Sequence, residues 1–371
     1  MVKPSITIGK DTISEDSACY VIAEIGHNHQ GSMDLAKKMV DAAAQAGANA
    51  VKLQKRSNKD LFTAEMYAKP YENENSFGKT YGEHREALEF GEEQYKELKA
   101  YADSKGVTFF ATPFDIPSAD FLENVGVPAY KIASAMVTDI PLIEHVAKKG
   151  KPILLSTGTC TLEDVDRAYE CMKSHGVPMC ILHCVAAYPM MDYSEANLSV
   201  ISALKERYPD AVIGFSSHES GIMLPVAAYM LGARVVEKHF TLNRAMKGTD
   251  QTFSLEPQGL SKMVRDLKRI HQALGDGNKI VQRSEMSAKQ KLGKSIFART
   301  RIPKGTIVAP EMVIFKSPAT GLPPYKVDDV LGREAKSDIP PDTPIDYSLL
   351  GDEKKQSFGK VDWGALLGGK S

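Results

Sequence analysis

Two apolar runs in this chain end on histidine. In "ARVVEKHFTL" (233–242) Val235 and Val236 lead to Glu237, Lys238 and His239, and in "IGFSSHES" (213–220) Ile213 and Phe215 lead to Ser216, Ser217 and His218. Neutral imidazole is the commonest side-chain metal ligand. Two imidazoles at the ends of neighbouring strands would meet over one point and leave positions open for water and a substrate carbonyl, which a metal would polarise. Either histidine alone would more simply be a hydrogen-bonded core residue; the pairing of strand ends favours the ligand reading. Lys52 in "AVKLQK" and Lys131 in "AYKIAS" also sit in apolar runs. A buried ammonium without an anion is costly, so each requires a buried carboxylate, for which Glu24 in "YVIAEIG" is the candidate, or an anionic ligand held as an ion pair. Thr112, Ser134, Ser156 and Ser216 add hydroxyl donors around them; singly, each reads as a strand-end or capping group.

The elements that must carry these side chains alternate along the first 275 residues. β-rich runs at 20–26, 50–55, 108–114, 129–134, 152–158, 180–186, 212–218 and 233–240 are separated by amphipathic helix patterns. One such pattern, "MDLAKKMVDAAAQAG", places Leu35, Met39, Val40 and Ala43 on one face. Glycines 47, 106, 150 and 176 close helices as C-caps do. Strands joined by crossover helices are parallel, and eight such units are the count of a closed (β/α)8 TIM barrel. An open doubly wound sheet is the competitor, but no GxGxxG follows the first run. In the barrel reading the polar residues above all fall at C-terminal strand ends, where barrel active sites are built.

After about residue 280 the pattern changes. The expected organisation is a barrel over 1–280, a linker over 281–293, a compact β-rich module over 294–351 with Pro-Lys-Gly and Pro-Pro-Asp turns, and a loose tail over 352–371. With 46 Lys+Arg against 47 Asp+Glu the formal net charge is -1, which gives no bulk electrostatic case for nucleic acid or an anionic membrane. No apolar stretch approaches the roughly 20 residues that span a bilayer. The opening "MVKPSITIGKDTIS" lacks the apolar segment of a secretory signal. Five cysteines without CxxC spacing point to a reducing compartment, so the cytoplasm is expected.

Taken in order, "AEIGHNHQG" (23–31), "ATPFD", "KIAS", "ILLSTGT", "LHCVAAYP", "IGFSSHE" and "EKHFTLNRAMKGTDQTFSLEP" resemble the motifs of the sialic acid synthases, the phosphoenolpyruvate-dependent nonulosonate synthases. The β-rich module resembles the antifreeze-like SAF domain these enzymes carry. The resemblance implies condensation of phosphoenolpyruvate with an N-acetylhexosamine aldehyde, N-acetylmannosamine or its 6-phosphate, and water. It implies a divalent metal, commonly manganese with magnesium or cobalt as alternatives, held by His218 and His239, and a domain-swapped homodimer. It further implies Glu24 as the acid–base carboxylate, acting with Lys52 and Lys131. Those lysines, with Thr112, Ser134, Ser156 and Ser216, would bind phosphoenolpyruvate, and Gln54, Tyr188 and Asp250 would line the sugar side.

The chain departs from the family pattern at three places. Met136 stands where a carboxylate is usual, Ala186 where many bacterial members have asparagine, and Lys316-Ser317 where a terminal-domain arginine is expected. "SFGKTYGEHREALEF" (76–90) resembles the animal-type synthases that use the 6-phosphate, and Lys79, His84 and Arg85 would offer cations to that phosphate; a solvated helix start is the plainer reading. A synthase of legionaminate, pseudaminate or a spore-coat nonulosonate is the alternative, and a catalytically silent sugar-binding barrel, motivated by Met136, is the third.

Overall fold

The computed structural model describes residues 3–368 and divides the chain into two compact units, one running to Gly275 and one starting at Asp276. In the first unit a hairpin, β1 (Ser5–Ile8) and β2 (Asp11–Ser14), precedes eight parallel strands. These are β3 (Tyr20–Gly26), β4 (Ala50–Lys55), β5 (Thr108–Pro113), β6 (Tyr130–Ile132), β7 (Ile153–Ser156), β8 (Met179–Cys184), β9 (Val212–Ser217) and β10 (Val235–His239). They hydrogen-bond in sequence, and β10 pairs back onto β3 in the register Val235↔Tyr20 to His239↔Glu24. The barrel is therefore closed and the open-sheet alternative falls. Parallel strands between a filled interior and a ring of helices are buried on both faces, which is why these runs read as continuous apolar stretches.

The helices follow from simple local chemistry. Met33–Ala46 starts at Ser32, whose hydroxyl accepts from the Leu35 N–H, and ends at Gly47 with φ 84°, a left-handed C-cap that L side chains rarely adopt. It buries Ala36, Met39, Val40, Ala43 and Ala46 against the barrel, while Leu35 packs at the edge. The β1–β2 hairpin was not anticipated. Its alternating Ile6, Ile8 and Ile13 are buried, and Lys10 Nζ donates to Gly106 O at 2.6 Å just before β5, so it lies at the N-terminal end of that strand.

The second unit contains two antiparallel pairs, β11 (Ser295–Ala298) with β12 (Val313–Lys316) and β13 (Arg333–Ala335) with β14 (Leu350–Lys354). They enclose a core that includes Ile296, Ile302, Val313, Ile339 and Ile345. The expectation of a loose tail after 352 does not hold for the described residues. Phe358, Val361 and Trp363 pack on this core, a helix forms over Trp363–Leu367, and the Trp363 and Phe315 rings lie 4.9 Å apart. Aromatic burial anchors the segment without needing any periodicity. Lys316 pairs with Asp342 inside the same unit. No helix among the described residues is long and apolar enough to cross a membrane.

Candidate active site

A cavity of about 480 Å³ opens at the C-terminal ends of the barrel strands. Its floor is set by side chains that alternate inward along their strands. β4 turns Lys52 and Gln54 inward, with Arg56 following; β3 contributes Glu24, β6 is followed by Ser134, and β10 contributes Glu237 and His239. Lys52 Nζ lies 2.7 Å from Glu24 Oε2 and 3.6 Å from Glu237 Oε1, and donates to Thr112 Oγ1 at 2.8 Å. Lys131 Nζ lies 3.5 Å from the same Glu237 oxygen. Two buried ammonium groups thus share one carboxylate, while Glu24 has one lysine and accepts from Gln54 Nε2 at 2.8 Å. All four ionisable groups are nearly inaccessible to solvent.

Burial and neighbours push the two carboxylates apart. Burial raises Glu24 to about 7, Lys52 opposing and the Glu237 charge adding to it. Burial would raise Glu237 as well, but Lys131 and Lys52 together hold it below the ordinary carboxylate value. Lys131 is lowered, chiefly by burial and then by Lys52. Carboxylates with separated titrations in one site are suited to different roles. The Ser156 hydroxyl is buried without a partner, and Ser216 Oγ reaches only to Glu237 at 3.4 Å, so both can turn to a ligand. Ser134 Oγ accepts from the Gly158 N–H at 3.0 Å.

His218 and His239 do meet, with ring centroids 5.3 Å apart. Tyr188 lies over His218 at 4.2 Å, and Phe253 backs His239 at 5.0 Å. His218 Nδ1 is 2.8 Å from Val185 O; a carbonyl only accepts, so that nitrogen carries the proton and Nε2 keeps its lone pair for the cavity. His239 Nδ1 is buried without a hydrogen bond and stands 3.6 Å from Asp250 Oδ2. Burial first, and the neighbouring His239 second, push His218 down to about 3; burial lowers His239 too. Both rings are neutral at pH 7, the ligating form. Among the described residues no third His, Cys, Asp or Glu joins them in a group that could hold a metal ion, so the two neutral imidazoles are the donors a divalent cation would find here. Behind them the buried Lys238 turns the other way, to Glu219 Oε1 at 3.1 Å and Glu219 O at 2.6 Å, and ties the two histidine-bearing strand ends together.

Residues 39–279 match the NeuB family and residues 293–350 match the SAF domain. The N-acetylneuraminate-9-phosphate synthase of Homo sapiens is 38% identical over 339 residues, 91% of this chain and 94% of the relative. The chain belongs to the NeuB family. The N,N'-diacetyllegionaminic acid synthase of Campylobacter jejuni is 34% identical over 85% of this chain and 95% of its own length. Among solved structures, the N-acetylneuraminic acid synthetase of Leptospira borgpetersenii superposes with a TM-score of 0.67 at 36% identity, covering 77% of this chain and 95% of that one. These two relatives are named as synthases, and this chain is an enzyme of that type.

The expected residues Glu24, Lys52, Gln54, Thr112, Lys131, Ser134, Ser156, Tyr188, Ser216, His218, His239 and Asp250 all line this one cavity. Lys79 does not reach it: a capping box formed by Thr80 and Glu83 draws the Lys79 N–H to Glu83 Oε2 and leaves its side chain in solvent. His84 is no cation either. It is buried among Tyr71, Tyr81 and Phe77, its Nδ1 accepts from the Phe77 N–H, and burial with the Arg85 charge lowers it to about 4. Arg85 does line the cavity, as does Arg56, which sequence reasoning passed over. Met136 packs on the barrel core, leaving Ala133 and Ala135 at that wall and no carboxylate there. Glu237 is the other residue missed. Its signal was available, because it stands two positions before His239 on one strand and so shares its face.

Proposed function

We propose that this chain condenses phosphoenolpyruvate with N-acetylmannosamine or its 6-phosphate and water, giving N-acetylneuraminate or its 9-phosphate and inorganic phosphate. The observation that carries the reading is the placement, in one cavity, of two buried lysines ringed by hydroxyls beside two neutral imidazoles. Lys52, Lys131, Thr112, Ser134, Ser156 and Ser216 hold the carboxylate and phosphate of phosphoenolpyruvate through charged and hydroxyl hydrogen bonds. C3 of the enolpyruvate forms the new bond to the aldehyde carbon, whose oxygen takes up a proton. Positive charge then develops at C2, next to Glu24, whose carboxylate stabilises it and accepts a proton from the water that adds there. The C2 hydroxyl then collapses to a carbonyl, its proton leaving with the phosphate as the bond from C2 to the phosphate oxygen breaks, and the α-keto acid remains.

A divalent cation, manganese by resemblance, would be held by His218 and His239 and would supply Lewis-acid polarisation of the aldehyde. Gln54, Tyr188 and Asp250 line the sugar side. Removing the cation with a chelator should abolish phosphate release, and His239→Ala should leave the protein substoichiometric in metal after manganese loading, read by elemental analysis. Full metal retention in that variant would overturn the assignment. The same reading takes the protein to be a cytoplasmic homodimer whose SAF module serves its partner's sugar pocket. Truncation after residue 285 should then abolish turnover, and undiminished turnover would remove that role.

A related nonulosonate as product is the second reading, supported by relatives named for legionaminic and pseudaminic acids at 34% and 33% identity. A silent sugar-binding barrel is favoured only by Met136, and the intact lysine–carboxylate floor weighs against it. Phosphate release with each candidate hexosamine separates the three.

A further inference from the structure

Lys238, near the end of β10, and Glu219, just past β9, form an ion pair in which both residues are 1% exposed. Nζ of Lys238 lies 3.1 Å from Glu219 Oε1 and donates to Glu219 O at 2.6 Å. Among the described residues the Glu219 carboxylate has no other partner for either oxygen. Apolar side chains of similar volume in place of such a pair are often neutral or stabilising, so stability does not account for it. Fixing the register of two elements is the best-attested use of a buried pair. Its members stand beside the two histidines of the cavity: Glu219 follows His218, and Lys238 precedes His239.

The strand ladder holds only one of these histidines. β10 runs along β9 from Val235↔Gly214 to Lys238↔Ser217, and the pairing ends there. His239 is carried by its other neighbour, in register with Glu24. The Phe240 N–H donates to Glu24 O and the Leu255 N–H to His239 O, both at 2.8 Å. His218 stands one residue beyond the ladder. Its Nδ1 donates to Val185 O at 2.8 Å and its carbonyl accepts from the Met190 N–H at 3.4 Å, so both contacts are to the segment after β8. They fix His218 to that side of the mouth and not to His239. The Lys238 side chain supplies the link to β10, reaching past the last ladder pair to the carbonyl of the residue after His218.

We infer that Lys238 and Glu219 are positioning residues for the two imidazoles, setting where His218 stands relative to His239 and thereby the affinity of the pair for a divalent cation. The inference rests on the proposed metal site and goes beyond it in assigning the residues that shape it. Neither Lys238 nor Glu219 lines the cavity. Strand alternation turns Lys238 away from the face that Glu237 and His239 share, so the pair acts through the backbone and not on a bound substrate.

The test uses the metal-free full chain and manganese alone, with the free ion read by electron paramagnetic resonance. Lys238→Met by itself leaves a buried carboxylate without its cation and is expected to fold poorly. The working variant is therefore Lys238→Met/Glu219→Leu, which removes both charges and keeps the volume, measured beside wild type and His239→Ala. It should melt within about 5 °C of wild type yet bind manganese roughly 10- to 100-fold more weakly, the usual worth of a group that orients a metal ligand. Wild-type affinity in the double variant would overturn the inference and leave the metal site standing. A collapse of Tm alongside the lost affinity would reduce the pair to a structural role and overturn it equally. Manganese uptake that is absent from wild type, or unchanged in His239→Ala, would remove the metal site and the inference with it.

Discussion

Glu237→Gln is expected to destabilise the free protein strongly. It removes the one carboxylate shared by Lys52 and Lys131. Breaking a buried ion pair costs about 3–5 kcal/mol because the surviving charge stays buried. The lower end, roughly 3 kcal/mol, is expected because Lys52 retains Glu24 at 2.7 Å. Phosphoenolpyruvate should reverse the defect by supplying the missing negative charge, so its stabilisation of the variant, read as a rise in Tm, should exceed that of wild type. A variant melting within about 1 °C of wild type would show that Glu237 is not the counter-ion of the floor.

Glu24→Gln is expected to cut turnover by about 10²- to 10⁴-fold, the usual worth of a positioned acid–base group. The pH profile makes the test specific. Burial pushes Glu24 up to about 7, so in the free enzyme it is protonated below that pH and cannot accept a proton from water. Wild-type kcat/KM should therefore rise as pH increases through about 7 and level off above it. In Glu24→Gln that limb should vanish from the residual activity. Persistence of the same limb in the variant would assign it to another group and remove Glu24 from the proton transfer.

The barrel was legible because its eight apolar runs are buried on both faces and its polar residues recur at their C-terminal ends; topology then gathers those ends into one mouth. That logic placed Glu24, Lys52, Lys131, His218 and His239 at the mouth, while their roles came from the family resemblance. Glu237 was lost by treating Glu237, Lys238 and His239 as one polar strand end, when the period of two sends Glu237 and His239 inward and Lys238 outward to Glu219. The wall of the site was harder to read. Lys79, His84 and Arg85 look alike as a basic run, yet a Thr80–Glu83 capping box turns the first to solvent and aromatic packing buries the second as a neutral ring. That sorting depends on tertiary contacts, as does the placing of Arg56 against Phe114. The hairpin at 5–14 was readable, since Ile6, Ile8 and Ile13 alternate around a Gly-Lys turn. The end of the chain was not, because Phe358 and Trp363 anchor it without any repeat.

Phosphate release from phosphoenolpyruvate by the manganese-loaded full chain, with N-acetylmannosamine, with its 6-phosphate and with no sugar, tests the central claim most directly. The account predicts release only when a hexosamine is present, together with one nine-carbon α-keto acid per phosphate. Folded, metal-loaded protein that releases none with either sugar, or that releases it equally without sugar, would contradict it.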